Sequence, residues 1–229
     1  MDLASVKILA IVPARGGSKG IKKKNLVEFR GKPLIEFTLE AILNSRYITK
    51  TIVSTENEEI HEFCKAQNFQ TNYWRPQYLS TDFAPISDVV IDVLEWVDRT
   101  TGEYFDYFLL LQPTSPMRTA QDIDQFLEYM IDGKLERVVS VHQMREHPME
   151  SIVINNELEW GYLVNPPENA QGRQAYSDNF FFINGSIYGA QTVAFLRNPN
   201  FLHEVTSKSF FQVPRSHGLD IDYEDDLRV

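Results

Sequence analysis

Along the first half of the chain, short apolar runs alternate with stretches of helical periodicity. Ile8-Leu9-Ala10-Ile11-Val12 is continuously apolar and stops at a proline, which predicts a buried strand over 8–12. Further runs rich in β-branched and aromatic residues predict strands over 51–54, 107–111, 137–141, 152–155, 181–188 and 210–213. Between them, apolar positions recur at helical spacing over 33–43, 58–67, 87–97 and 120–131. Two of these helices carry start signals: Asn57 ahead of one, and Thr119 with Asp122 three residues later ahead of another. Strands alternating with helices predict an α/β fold, a mainly parallel twisted sheet with helices on both faces.

The second half breaks this rhythm. The segment 151–160 reads as a hairpin around Asn155-Asn156, and 164–179 is a polar stretch containing Pro166-Pro167 that reads as a long loop. Such an excursion in an α/β domain covers a site or reaches a partner subunit. Its expected extent is about 142–182, within a single domain of 1–229.

Composition narrows the class. A chain of 229 residues, 43% hydrophobic and 24% charged, is ordinary for a globular protein. No apolar run is long enough to span a bilayer, and the first residues lack a basic segment followed by an apolar stretch. The single cysteine, Cys64, lies on a predicted helix face and reads as a buried structural thiol. A cytoplasmic protein without membrane attachment is expected. The net charge of −10 argues against nucleic-acid binding, which needs a basic field.

Against that acidic background one segment is anomalous. Immediately after the first strand, positions 15–24 hold five basic residues and three glycines: Arg15-Gly16-Gly17-Ser18-Lys19-Gly20-Ile21-Lys22-Lys23-Lys24. A glycine-rich turn after a strand offers backbone N–H groups to phosphate. The spacing is not that of a P-loop, because Gly20 is followed by Ile21 and Lys22, and the glycines do not match the dinucleotide fingerprint either. What remains is an irregular anion loop that supplies its own cations, suited to a triphosphate or to its pyrophosphate leaving group. Near the other end, Asp220 and Asp222 flank an apolar Ile221. Alternate residues of an extended segment face one side, so both carboxylates can aim at one hard cation such as Mg²⁺.

Several segments in order along the chain resemble one family. Val12-Pro13-Ala14-Arg15-Gly16-Gly17-Ser18-Lys19-Gly20 with Lys24-Asn25 resembles the opening motif of the CMP-sialic acid synthetases, the acylneuraminate cytidylyltransferases. Ile52-Val53-Ser54-Thr55-Glu56, Arg75-Pro76 with Leu79, Asp82 and Ala84, and Leu110-Leu111-Gln112-Pro113-Thr114-Ser115-Pro116-Met117-Arg118 resemble its following motifs. Asn184-Gly185-Ser186-Ile187-Tyr188 and Asp220-Ile221-Asp222-Tyr223-Glu224-Asp225-Asp226-Leu227 resemble its last two.

The resemblance implies a fold like the nucleotide-binding domain of GT-A glycosyltransferases, with a β-rich dimerisation excursion and a homodimer. It implies transfer of CMP from CTP to a nine-carbon α-keto acid sugar (sialic, legionaminic or similar), with Mg²⁺ and release of pyrophosphate. Carried residue by residue, it places Arg15, Lys24 and Asp222 in the chemistry, and Asp220 with Asp222 on the metal. Nucleotide contacts fall to Ala14, Gly16, Gly17, Ser18, Lys19, Asn25, Arg75 and Asp82, and sugar contacts to Gln112, Arg173 and Asn184. Arg118 reads as structural, at the start of a helix. The chain departs from the pattern at Phe182-Ile183, where several members carry Arg-Pro; Arg173 is the alternative cation for a sugar carboxylate. Two other readings stand beside this one: a cytidylyltransferase for 3-deoxy-manno-octulosonic acid, and a nucleotide-binding module without catalysis.

Overall fold

The computed structural model describes residues 3–18, 20–69, 72–165 and 179–228. In chain order the strands are β1 (Ile8–Pro13), β2 (Glu28–Phe29), β3 (Lys32–Pro33), β4 (Lys50–Ser54) and β5 (Tyr107–Leu110). They continue with β6 (Arg137–Gln143), β7 (Ile152–Ile154), β8 (Trp160–Tyr162), β9 (Phe181–Gln191) and β10 (Phe210–Gln212). The α-helices are α1 (Leu34–Leu43), α2 (Glu58–Ala66), α3 (Ile86–Thr101), α4 (Ala120–Asp132) and α5 (Thr192–Arg197).

Six strands form the main sheet in the order β10-β6-β9-β5-β1-β4. β4, β1 and β5 pair in parallel, as do β6 and β10, while β9 runs antiparallel to both of its neighbours. The mainly parallel sheet expected from the sequence is therefore present, interrupted by one reversed strand. Helices cover both faces. On one face Ile35 and Leu39 of α1 and Phe126 and Met130 of α4 pack against Val138 and Ile187. On the other, Val90, Val93 and Val97 of α3 pack against Leu9, Ile11, Phe108 and Leu110. Burial of both faces is why β1 and β5 read as unbroken apolar runs.

The predicted start signals operate. Asn57 Oδ1 accepts from the Ile60 amide at 3.1 Å, and Thr119 and Asp122 bond each other's backbone in a reciprocal cap. Helix α3 runs on to Thr101, four residues past the predicted end, and stops at Gly102 in the left-handed conformation. Pro33 precedes α1 and closes the small β2–β3 ribbon instead of opening the helix. Cys64 is buried on α2, and burial pushes its thiol up to about 12, in line with a structural thiol.

The excursion is partly visible. Beyond the main sheet, β6 and β9 continue as a two-stranded ribbon, with His142 opposite Phe182 and the Met144 amide bonded to the Phe180 carbonyl. From it springs the β7–β8 hairpin, whose turn is held by Asn155 Oδ1 accepting from the amides of Glu157 and Glu159. Every residue of β7 and β8 is exposed, including Ile152, Ile154, Trp160 and Tyr162. Most of the predicted long loop, 166–178, lies outside the described residues.

Candidate functional site

In an open α/β sheet, ligands bind at the carboxyl ends of the parallel strands. Here the carboxyl ends of β1, β4 and β5 release the chain into the glycine-rich loop, the segment 55–57 and the segment 111–119. A cleft of about 550 Å³ opens at this edge. Arg15, Ser18, Lys24, Asn25, Arg75, Asp82, Gln112 and Asp222 line it, so eight of the expected site residues meet in one cavity.

The glycine-rich loop is held from beneath. The Ala14 amide donates to the Ser54 carbonyl at 2.9 Å, extending the β1–β4 pairing, and the Ala14 side chain is buried away from the cleft. Buried Asn25 donates from Nδ2 to the Arg15 carbonyl at 2.8 Å. Ser18 Oγ donates to the Ile21 carbonyl at 2.6 Å and accepts from the Lys24 amide at 3.3 Å, closing the turn. The Gly16 amide donates to Glu56 Oε1 at 2.7 Å. Asn25, Ser18 and Glu56 thus shape the loop. Gly17 is exposed, and Lys19 lies outside the described residues.

Both cations assigned to chemistry are paired with carboxylates across the cleft. Arg15 Nη1 is 2.6 Å from Asp82 Oδ1, and Lys24 Nζ is 2.8 Å from Asp222 Oδ1. Each pair keeps one or both partners substantially in solvent, where such bridges contribute about 0–1 kcal/mol. A polyphosphate brings several negative charges and bidentate acceptors, so it outcompetes either carboxylate. Lys23 turns away to Glu59 at 2.7 Å, and Lys22 is exposed.

Asp222 reaches the loop because the late segment is docked from below. Ile221 is fully buried against Ile21, Phe29 and Leu34, and its amide donates to the Thr114 carbonyl at 2.8 Å. Gly20 lies against the Asp222 carbonyl with no room for a Cβ between them. Asp226 Oδ2 accepts from the amides of Asp222 and Tyr223, at 2.9 and 2.8 Å, and fixes the turn.

With Ile221 inward, Asp220 and Asp222 both face out, as the alternation predicts. Crowding of the Asp220 carboxyl by surrounding protein raises its pKa; the Asp222 charge adds to this, and a hydrogen bond with Thr114 and the Lys24 charge oppose it. Asp220 still keeps more than a third of its surface open. Asp222 lines the cleft and Asp220 does not, so the two carboxylates offer hard oxygens of the kind that suits Mg²⁺ but only one of them from within the cavity. Among the described residues there is no cluster of three or more acidic, histidine or cysteine side chains of the kind that holds a metal by itself. Phosphate oxygens and water would have to complete the shell.

The remaining expected contacts are distributed. Arg75 is buried, with Nε on Ser54 Oγ at 3.0 Å and Nη2 on the Ser54 carbonyl at 2.8 Å; loss of solvation lowers its pKa. Asn184 is buried in β9 behind the cleft. Its Oδ1 accepts from Ser140 Oγ at 2.6 Å and from the Ser186 amide at 3.1 Å. Arg173 lies outside the described residues. Glu56 and Thr114 were not assigned roles from sequence, although both follow strand ends, where site residues concentrate. The apolar wall of Leu79, Ile86 and Val89 also went unread. Its residues look like ordinary core positions in a sequence.

Comparisons with known proteins identify the family. A family model described as Cytidylyltransferase matches residues 9–159. The chain is 34% identical over 220 residues to the CMP-N,N'-diacetyllegionaminic acid synthase of Legionella pneumophila, covering 95% of this chain and 91% of that protein. It is 31% identical over 228 residues to an N-acylneuraminate cytidylyltransferase of Streptococcus agalactiae, covering 97% of this chain. It spans about half of that relative's length, 52%. A pseudaminic acid cytidylyltransferase of Campylobacter jejuni is 29% identical, with 97% and 94% covered. Among solved structures, CMP:2-keto-3-deoxy-manno-octonic acid synthetase complexed with CTP superposes with a TM-score of 0.70 at 20% identity, covering 97% of this chain and 95% of that one. At that identity the likeness speaks for the fold.

Proposed function

The chain belongs to the cytidylyltransferase family, and we propose that it transfers CMP from CTP to a nine-carbon α-keto acid sugar, releasing pyrophosphate. The observation that carries this reading is the convergence of Arg15, Lys24 and Asp222, from opposite ends of the chain, in one cleft at the carboxyl edge of the sheet. The curated relatives that cover this chain act, by their names, on acylneuraminic, legionaminic and pseudaminic acids, which supports the sugar class.

In the reaction the C2 hydroxyl oxygen forms a bond to the α-phosphorus, the bond from that phosphorus to the β-phosphate oxygen breaks, and the hydroxyl proton passes to solvent. The protein contributes position and charge. Arg15 and Lys24 leave Asp82 and Asp222 to neutralise the triphosphate and the departing pyrophosphate. The glycine-rich loop from Gly16 to Ser18 borders the β- and γ-phosphates, and Lys19, outside the described residues, is a further expected contact. Arg75, Asn25 and Asp82 position the nucleoside against the wall of Leu79, Ile86 and Val89. Gln112 and Asn184 serve the sugar, and Arg173, outside the described residues, is the expected partner of its carboxylate. Asp220 and Asp222 would hold Mg²⁺, which when bound offsets phosphate charge and makes the sugar hydroxyl more acidic.

The exposed Ile152, Ile154, Trp160 and Tyr162, together with Phe181 and Phe182, form an apolar surface suited to a second copy of the chain. A homodimer built on the excursion follows, around a single domain in which one sheet carries both halves of the sequence.

The test is pyrophosphate release from CTP and MgCl2 with a panel of α-keto acid sugars, including N-acetylneuraminic, diacetyllegionaminic, pseudaminic and 3-deoxy-manno-octulosonic acids. Turnover of a nine-carbon acid is expected. Turnover of the eight-carbon acid alone would favour the octulosonic reading, and CTP binding without any turnover would leave a nucleotide-binding module.

A further inference from the structure

Arg118 is buried next to the cleft-lining Gln112, with 3% of its surface exposed, and among the described residues no carboxylate is hydrogen-bonded to it. A buried guanidinium costs several kcal/mol in lost solvation unless its donors are used. Here four bonds join three separate parts of the fold. Nη1 donates to the Gln112 carbonyl at 3.2 Å and to the Ser186 carbonyl at 2.5 Å. Nη2 donates to Thr38 Oγ1 on α1 at 2.5 Å and again to the Gln112 carbonyl at 3.2 Å. Asp122, the nearby carboxylate whose charge it feels, is occupied elsewhere, by the Thr119 cap and by His217 Nδ1 at 2.9 Å.

One of the three parts lies at the cleft and a second lies against it. Gln112 follows β5 by two residues and lines the cavity. Ser186 belongs to a kink in β9, where the register against β6 shifts between Val139 and Val141 and Gly185 adopts a φ of +69°. The Gln112 amide nitrogen sits over Gly185, 3.6 Å from where a Cβ would stand. One planar group therefore sets the spacing between the Gln112 corner and the β9 kink, and a lysine cannot make the same fork.

We propose that Arg118 is a positioning residue for the second substrate: it holds Gln112 and the 184–186 kink in the relative geometry that receives the sugar, and leaves the triphosphate loop untouched. This inference rests on the cytidylyltransferase reading. Burial, which pulls the Arg118 pKa down to about 9, leaves it protonated at neutral pH, so the four bonds from Nη1 and Nη2 remain, while the buried Nε has no partner among the described residues.

The test compares Arg118→Lys and Thr38→Val with the wild type. Arg118→Lys is expected to raise the sugar KM about tenfold, while the CTP dissociation constant by titration calorimetry stays within about twofold. Thr38→Val keeps the side-chain volume and the charge of Arg118 but removes the hydroxyl that accepts from Arg118 Nη2 and donates to the Gln112 carbonyl at 3.4 Å. It carries the test if the lysine variant does not fold, with an expected two- to threefold rise in sugar KM, on the order of one weakened contact. An unchanged sugar KM, or an equal loss of CTP affinity, overturns the proposal. Hydrogen exchange reads the clamp without any reaction, so it stands apart from the sugar panel: faster exchange at the amides of 184–187 in Thr38→Val is expected, and unchanged exchange overturns the inference even if the enzyme is active.

Discussion

Gly20 and Asp222 touch backbone to backbone, although 202 positions of sequence separate them. A methyl group on Gly20 would strike the Asp222 carbonyl, and neither side can yield easily because both atoms belong to the main chain. Gly20→Ala is therefore expected to push the Asp222 segment off the loop. The sheet lies elsewhere, so the far-UV spectrum should be unchanged while kcat falls about ten- to a hundredfold, the range of a misplaced catalytic group. Wild-type kcat in Gly20→Ala would show that the late segment needs no such contact.

Asp222→Asn preserves shape and removes charge. It should fold normally and lose most of its turnover, on the order of a hundredfold or more, with Mg²⁺ affinity weakened in parallel. Steady-state rates at several Mg²⁺ concentrations check this. A variant within threefold of the wild type at saturating Mg²⁺ would remove the carboxylate from the chemistry.

The charge state of Asp220 predicts a pH signature. Its folded pKa is raised, so the folded state binds this proton more tightly than the unfolded chain does. Its contribution to stability is complete below the ordinary carboxylate pKa and is lost as pH rises through the elevated folded value. At neutral pH the group is a net liability, so Asp220→Asn should raise the melting temperature in metal-free buffer. The gain should shrink as the pH is lowered past the raised pKa. Melting curves across that range decide it, and a pH-independent difference would mean that the crowded carboxylate charge is not the cause.

Trp160 lies 64% exposed on the β7–β8 hairpin, far from the sheet. If a second copy covers this surface, Trp160→Glu should shift the sedimentation profile toward monomer without lowering the melting temperature of the monomeric fold. A monomeric wild type would refute the dimer directly.

The parts of the fold that could be read in the sequence are those where local pattern and tertiary environment agree. β1 and β5 are buried on both faces, so their apolar runs are unbroken, and the caps at Asn57 and Thr119 are short-range chemistry. The short β2, β3 and β8 carry no such signal, because two or three residues are too few to show a period, even where one of them, Phe29, is buried. The reversed direction of β9 was equally hidden, since strand direction is fixed by connections and leaves no mark on periodicity. Of the residues that line the cleft, the charges that stand out in the sequence were legible: Arg15, Lys24 and Asp222. Glu56, Gly20 and Arg118 were not, because their importance lies in what they approach across the fold.

The pairing of Lys24 with Asp222 spans 198 positions, and the sheet's own contacts are complete once β10 has formed at Phe210–Gln212. During synthesis the glycine-rich loop is therefore made early and stays without its acidic counterpart until the segment beyond β10 emerges. A chain interrupted between these points holds every strand of the main sheet but lacks the carboxylate that faces Lys24 across the cleft.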